Sequence, residues 1–330
     1  MKLRRFNRSA KEVSEIGLGA WQLGSADWGA VGEEQAQSIL EAAAASGVTF
    51  IDTADVYGAG LSERRIGKFL GARDDRHRFF VATKLGRYNE PGGSANWTYD
   101  IMRRHTENSL ERLGMARLQL TQTHCIDADV MRRGEVFEHL RRFKQEGLIE
   151  AFGASVETVE EGIECLQVDE LSSLQVIFNI FRQKPAEELF EQARERGVAI
   201  IVRLPLASGL LSGKFTQQSQ FDSADHRSYN REGEAFNVGE TFAGLRFERA
   251  LELVEQLRQI LPEELPMATS ALRYCLDFPA VTTVIPGASR VEQVQQNVQA
   301  CSVPRLPEAL HERLRQFYRS EVVGSIRGRY

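Results

Sequence analysis

Asp52, Tyr57, Lys84 and His124 are four polar side chains that each stand at or just past the end of a separate apolar run. Asp52 closes GVTFIDTA, Lys84 closes FFVATK and His124 closes LQLTQTH, while Tyr57 follows Asp52 in the turn-like stretch DVYGAG. Brought into one pocket, these residue types form a proton donor. A free tyrosine, with a pKa of about 10, is a poor acid at neutral pH. A lysine cation beside it stabilises the phenolate and is expected to lower that pKa, and an aspartate keeps the lysine charged and oriented. A histidine on a neighbouring strand steers the oxygen that receives the proton. A carbonyl accepting a hydride needs an acid of this kind. Any one of the four has an ordinary structural reading, but four at successive strand ends point to chemistry.

The elements that must position them are strands. Strand-like segments fall at 15–20, 48–52, 79–84, 118–124, 149–155, 174–179, 198–204 and 281–286. Between them lie amphipathic stretches such as EEQAQSILEAAAASG and SERRIGKFLG, with apolar residues at helical spacing and glycine stops. Eight buried strands alternating with outer helices predict a single (β/α)₈ barrel over residues 1–330, whose C-terminal strand ends share one face. A doubly wound Rossmann sheet is the alternative, weakened because no strand is followed by GxGxxG opening a helix. One interval breaks the rhythm. From about Ala207 to Gly244 the chain is polar and Gly-rich, and its length and content predict a mobile lid after the seventh strand that orders when cofactor binds, rather than a packed element. The final EVVGSIRGRY is expected to fold back across the barrel mouth.

Composition narrows the class. The chain has 330 residues, 42% hydrophobic and 26% charged, with a formal net charge of −5. No basic block suggests nucleic acid or an anionic membrane as a partner, and no apolar run approaches a bilayer span. The basic start lacks a signal-peptide core. Four scattered cysteines show neither disulfide nor zinc spacing. A cytoplasmic protein without a metal site is expected; the sequence does not set its oligomeric state.

DTADVYGAGLSERRIGKFL resembles the first signature of the aldo-keto reductases, and VATK and QTHC resemble that family's lysine and histidine segments. GASV, LQVIFN, PLASGLLSGKF and VIPGASRVEQVQQN resemble its cofactor segments in the same order, so that the likeness runs from GLGAWQLG at 17–24 into the 290s. Within the family the chain is similar to bacterial members and to the potassium-channel β-subunit-like branch. The resemblance implies a barrel, a nicotinamide cofactor and interconversion of an aldehyde or ketone with its alcohol. It makes Tyr57 the proton donor assisted by Lys84 and Asp52, with His124 orienting the carbonyl oxygen. It assigns Ala20, Trp21, Gln22 and Asp52 to the cofactor bridge and pocket, and Ser155 and Gln175 to the nicotinamide carboxamide. Leu206, Ser208, Leu210 and Lys214 would close over the pyrophosphate. Gly287, Ser289, Arg290, Gln293 and Asn297 would hold the adenosine end. The family usually stacks an aromatic ring on the nicotinamide where this chain has Arg203; a cation there repels the oxidised ring and favours the reduced one. Val156 replaces a polar residue after Ser155, and the proline usual after the histidine segment is missing from HCIDAD.

Arg290 and Arg227, with Ser289 and Lys214, could surround a 2′-phosphate, which favours NADP; NAD remains open. Trp21 is expected in the pocket, and Trp28 and Trp97 in ordinary packing. Cys125 should point away from His124, because neighbouring strand residues alternate faces. His77, His105, His139 and His311 are expected at the surface. Two other functions fit parts of the pattern. Lys84 could form a Schiff base, as in barrel aldolases, but that leaves Tyr57 and Asp52 unexplained. A regulatory subunit that binds cofactor without turnover is the other, and His124 argues for an enzyme instead. The substrate rim is expected from GRYNEPGGSANW, the 215–244 segment and the C-terminal tail.

Overall fold

The computed structural model describes residues 1–6, 11–24, 26–89 and 91–330; Glu90 of the expected rim loop lies outside them. The strands are β1 (Leu3–Arg5), β2 (Glu12–Ser14), β3 (Leu18–Gly19), β4 (Phe50–Asp52), β5 (Phe80–Leu85), β6 (Leu120–His124), β7 (Phe152–Ser155), β8 (Ser173–Ile177), β9 (Ala199–Arg203) and β10 (Val281–Val284). From β3 to β10 they form one parallel sheet in sequence order. Parallel bridges between Ile16 and Val284 and between Gly19 and Gly287 join the first of these strands to the last. The sheet is therefore the closed (β/α)₈ barrel that the alternation predicts. Its strands are buried throughout, which explains their continuous apolar runs.

The sequence reading missed an antiparallel hairpin, β1 with β2, before the barrel. Its Phe6 side chain enters the bottom of the barrel and meets Phe80, ring centroids 4.7 Å apart, and Phe50, at 6.1 Å. Both partners stand at the N-terminal ends of their strands, so Phe6 packs against the floor of the barrel, opposite the mouth. Strands of three residues carry too little periodicity to read.

The segment after β9 also departs from expectation. It contains no strand, yet it is packed rather than loose. Phe215, Phe221, Phe242 and Phe247 form an aromatic cluster, the closest pair being Phe242 and Phe247 at 4.9 Å. Asn230, fully buried, accepts from the backbone N–H groups of Ala235 and Phe236, both at 2.9 Å, and donates to Thr241 Oγ1 at 3.0 Å. Polar composition here signals internal hydrogen bonding, which a composition rule reads as mobility. His226 Nδ1 lies 3.0 Å from the Asp27 carbonyl and Tyr229 OH donates to Asp27 Oδ1 at 2.9 Å, tying this strap to the loop after β3. The C-terminal tail docks on the strap: Arg327 donates to the carbonyls of Gly244, Leu245 and Arg231. It lies beside the mouth without lining the central cavity. His105 and His311 are buried, contrary to expectation, stacked on Tyr88 and hydrogen-bonded to Asp277 respectively.

Candidate active site

The mouth opens on a cavity of about 660 Å³ lined by Asp52, Tyr57 and His124 at one end and by Ser289, Arg290 and Gln293 at the other. Strand register sets its deep end. His124, Ser155 and Gln175 are adjacent across β6, β7 and β8, and Gln175 Nε2 reaches across the barrel to donate to Asp52 Oδ1 at 2.7 Å. Asp52 Oδ2 accepts from Lys84 Nζ at 2.6 Å. The ammonium also donates to the Thr53 carbonyl at 2.9 Å and, at 3.4 Å, to the Tyr57 hydroxyl. Tyr57 is delivered by the turn after β4, and the next residue must be glycine: Gly58 has φ +59°, and a Cβ there would lie 1.7 Å from the Gly24 carbonyl oxygen. The Tyr57 ring stacks on Trp21 at 5.9 Å and meets His124 edge-on at 5.8 Å.

The electrostatics are those of a neutral acid next to a permanent cation. Burial opposes the charge on Lys84, but Asp52 and Tyr57 outweigh it and hold its pKa above the ordinary value. Burial pushes the Tyr57 phenol up, while Lys84 and Arg203 pull the other way without winning. The sequence expectation that Lys84 lowers the Tyr57 pKa is thus corrected: desolvation is the larger effect, and Tyr57 rests protonated. His124 is kept neutral, well below the usual imidazole value, by burial and by Arg87, Lys84 and Arg203.

Of the residues expected at the cofactor, Trp21, Gln22, Asp52, Gln175, Arg203, Leu206, Ser208, Lys214, Arg227, Gly287, Ser289, Arg290, Gln293 and Asn297 line the cavity. Ala20, Ser155 and Leu210 do not. Ala20 and Leu210 belong to the apolar core, and Ser155 is buried at the end of β7. Two others are already engaged. The Ser208 hydroxyl donates to the Glu240 carbonyl at 3.0 Å and accepts from Phe242 N–H at 3.1 Å, inside the strap. Arg227 is paired with Asp225 and lies over the Phe221 ring at 4.6 Å. Lys214 and Arg290, by contrast, are exposed and have no carboxylate partner among the described residues.

Sequence reasoning missed Trp28, Arg87 and Glu240, which also line the cavity. Trp28 packs edge-on to Trp21 at 5.4 Å, whereas Trp97 is buried as expected. Among the described residues of the GRYNEPGGSANW stretch only Arg87 reaches the wall. Arg203 stands at the end of β9 with Glu240 as counter-ion at 3.2 Å, so its charge is partly balanced and bears less on a neighbouring ring than the isolated cation foreseen. Cys125 has φ +54°, which breaks strand alternation and brings its Sγ to 3.6 Å from Arg203. Burial raises this thiol to about 11, so it is a poor nucleophile although it sits near His124. Cys125, Glu157 and Glu240 offer ligand atoms within 4.8 Å of one another, but Arg87 and Arg203 contact both Cys125 and Glu240. A metal cation there would meet two guanidiniums.

The comparisons with known proteins agree with this geometry. The family model described as Aldo/keto reductase family matches residues 15–319.

The chain belongs to the aldo/keto reductase family.

Among aldo/keto reductases and related sequences it is similar to "Uncharacterized oxidoreductase YqkF" of Bacillus subtilis, 31% identical over 93% of this chain and 94% of the relative. It is 27% identical to "Aldo-keto reductase yakc [NADP(+)]" of Schizosaccharomyces pombe, over 95% of this chain and 91% of that one. The solved structure of aldo-keto reductase AKR11C1 from Bacillus halodurans, in its holo form, superposes with a TM-score of 0.76 at 28% identity and covers 96% of both chains. Membership makes the protein an NAD(P)H-dependent oxidoreductase acting on small carbonyl compounds. Among the described residues no helix is long and apolar enough to cross a membrane.

Proposed function

We propose that the protein reduces an aldehyde or ketone to the alcohol, or runs the reverse reaction, with NADP(H) as cofactor and Tyr57 as the proton donor. The observation that carries this reading is the Asp52–Lys84–Tyr57 chain, with contacts of 2.6 and 3.4 Å, opening into a cavity long enough to have a second, cationic end. The deep end also has unused polar capacity. Gln22 Oε1 and His124 Nδ1, on residues that line the cavity, are buried without partners, and buried polar groups ordinarily have one. These atoms fit a polar ring substituent such as the nicotinamide carboxamide. At the other end, Lys214 and Arg290 are free to meet phosphate, and the helix Val291–Gln299 begins at the wall.

When bound, the nicotinamide supplies the hydride, two electrons with one hydrogen nucleus, to the carbonyl carbon. The protein's residues handle the oxygen. As the C=O π bond opens, the developing alkoxide takes the proton of the Tyr57 hydroxyl. The phenolate left behind faces Lys84 Nζ, whose charge is secured by Asp52. Neutral His124 donates a hydrogen bond to the same oxygen without competing for its proton. Solvent reprotonates Tyr57, so carbonyl, hydride and proton give alcohol. Schiff-base chemistry at Lys84 is disfavoured because a nucleophilic amine must lose its proton, and here ion pairing holds it.

Lys214 and Arg290 favour NADPH, since a contact between either and a 2′-phosphate is worth about 1.5–3 kcal/mol. Arg227 is a weaker candidate than it was from sequence, being committed to Asp225. The test is NADPH oxidation at 340 nm against a panel of carbonyls, with fluorescence titration of both nucleotides. Turnover with NADPH bound at least about tenfold more tightly than NADH is expected. Absence of turnover with every carbonyl, or equal affinity for both nucleotides, would contradict the respective part.

A further inference from the structure

A charged cluster that hydride transfer does not use reaches one wall of the cavity through Arg87, Arg203 and Glu240, with Glu157 and Arg182 behind them. Arg87 follows β5, Glu157 follows β7, Arg182 follows β8, Arg203 ends β9, and Glu240 is contributed by the strap. Glu240 is buried and accepts from Arg87 through both oxygens, at 3.0 and 3.3 Å, while Arg203 approaches it at 3.2 Å. Arg203 also donates to the Val156 carbonyl at 3.3 Å, and its Nε is buried without a partner. Arg182 packs behind, under Gly239, fully buried, with Nη1 unpartnered and its guanidinium over the Tyr330 ring at 4.5 Å. Glu157 accepts from Asn237 at 2.9 Å, and burial raises its pKa.

The charges do not cancel. Three guanidiniums stand against two carboxylates. Lys84 and Asp52 neutralise one another, and His124 is uncharged. A buried charge without compensation is costly, and a guanidinium with idle N–H groups is a planar fork suited to carboxylate or phosphate oxygens. Arg87 and Arg203 line the same cavity as Tyr57 and His124. That places an excess positive charge beside the reacting centre.

We propose that the carbonyl substrate carries an oxyanion, and that Arg87 and Arg203 bind it while Glu240 holds the two guanidiniums in place. The inference rests on the carbonyl-reduction reading and narrows its substrate class to small oxo acids or phosphorylated aldehydes. An anion-free carbonyl forgoes the contact, so discrimination is expected in KM more than in kcat.

Two matched pairs of probes test this: 4-oxobutanoate against methyl 4-oxobutanoate, and glyceraldehyde 3-phosphate against glyceraldehyde. Wild-type protein should favour the charged member of at least one pair by about tenfold or more in kcat/KM, and the preferred pair says whether the anion is a carboxylate or a phosphate. Arg87→Met should remove most of that ratio through KM of the charged member, and Arg87→Lys should restore part of it. Calorimetric titration with succinate and with inorganic phosphate separates the two readings. Anion binding lost in Arg87→Met supports the site even if no carbonyl is turned over. Turnover of carbonyls with equal kcat/KM for charged and neutral members overturns the inference and leaves carbonyl reduction intact. Failure of the wild type to bind either anion, with no charge preference, also overturns it.

Discussion

Asp52, Lys84 and His124 are held by strands that hydrogen-bond to neighbours on both sides, whereas Glu240, Ser208 and Arg227 are held by a segment without a strand, fixed by local turns and side-chain contacts. In the barrel a residue's position follows from its place on a strand. In the strap it follows from contacts such as Asn230 to Thr241, or His226 to Asp27, that join residues across turns and across the mouth. The two regions share one cavity but would divide the work under the proposed function: the strand ends would carry the proton, and the strap supplies the Glu240 counter-charge. Damage to the first should abolish chemistry, and damage to the second should change binding and local stability.

The largest effect is expected from Lys84→Met. It should lower kcat by about 10²–10⁴-fold and, by leaving Asp52 buried without its counter-charge, cost about 3–5 kcal/mol in denaturant unfolding. A variant with unchanged kcat would move the chemistry away from the strand ends. Asn230→Ala removes the acceptor of two strap N–H groups and should cost about 1–3 kcal/mol, seen as faster hydrogen exchange across 207–244 with barrel strands unaffected. If barrel and strap accelerate together, they are one cooperative unit and the comparison fails. Lys214→Ala and Arg290→Ala should each weaken NADPH by about tenfold and NADH much less; equal losses would assign the two cations to the pyrophosphate.

The smallest effect concerns pH. His124 lies well below its ordinary pKa, and burial lowers His105 to about 4. Both are neutral in the folded state, whereas the unfolded chain takes up their protons below pH about 6.5. Folding stability should therefore be complete above that pH and fall as pH drops below it, by at most about 1.4 kcal/mol per pH unit for each histidine. His105→Phe should flatten the slope between pH 6.5 and about 4; an unaltered slope would mean that His105 titrates alike in both states.

The barrel and the meeting of Asp52, Tyr57, Lys84 and His124 in one pocket were legible because the signals are local. An apolar run ends, a polar residue follows, and β4, β5 and β6 terminate where those runs do. The strap was misread because polar composition cannot distinguish solvated chain from chain whose hydrogen bonds are internal; Phe215, Phe221, Phe242 and Phe247 were the available clue. Arg87 and Glu240 were missed because they meet only in three dimensions, 153 positions apart. Ser208 and Arg227 were visible as polar groups, but their commitment to Glu240 and Asp225 depends on how the strap folds. The Tyr57 acidity was misjudged because the sequence shows the lysine and hides the desolvation.

The central claim is that Tyr57 donates the proton and takes no part in holding the cofactor. It is tested most directly by measuring kcat and the NADPH dissociation constant together for wild type and Tyr57→Phe. The account predicts a fall in kcat of at least about 10²-fold, equivalent to about 2.7 kcal/mol of transition-state stabilisation, with the dissociation constant unchanged within about twofold. Turnover of the Phe variant within about threefold of wild type would contradict it.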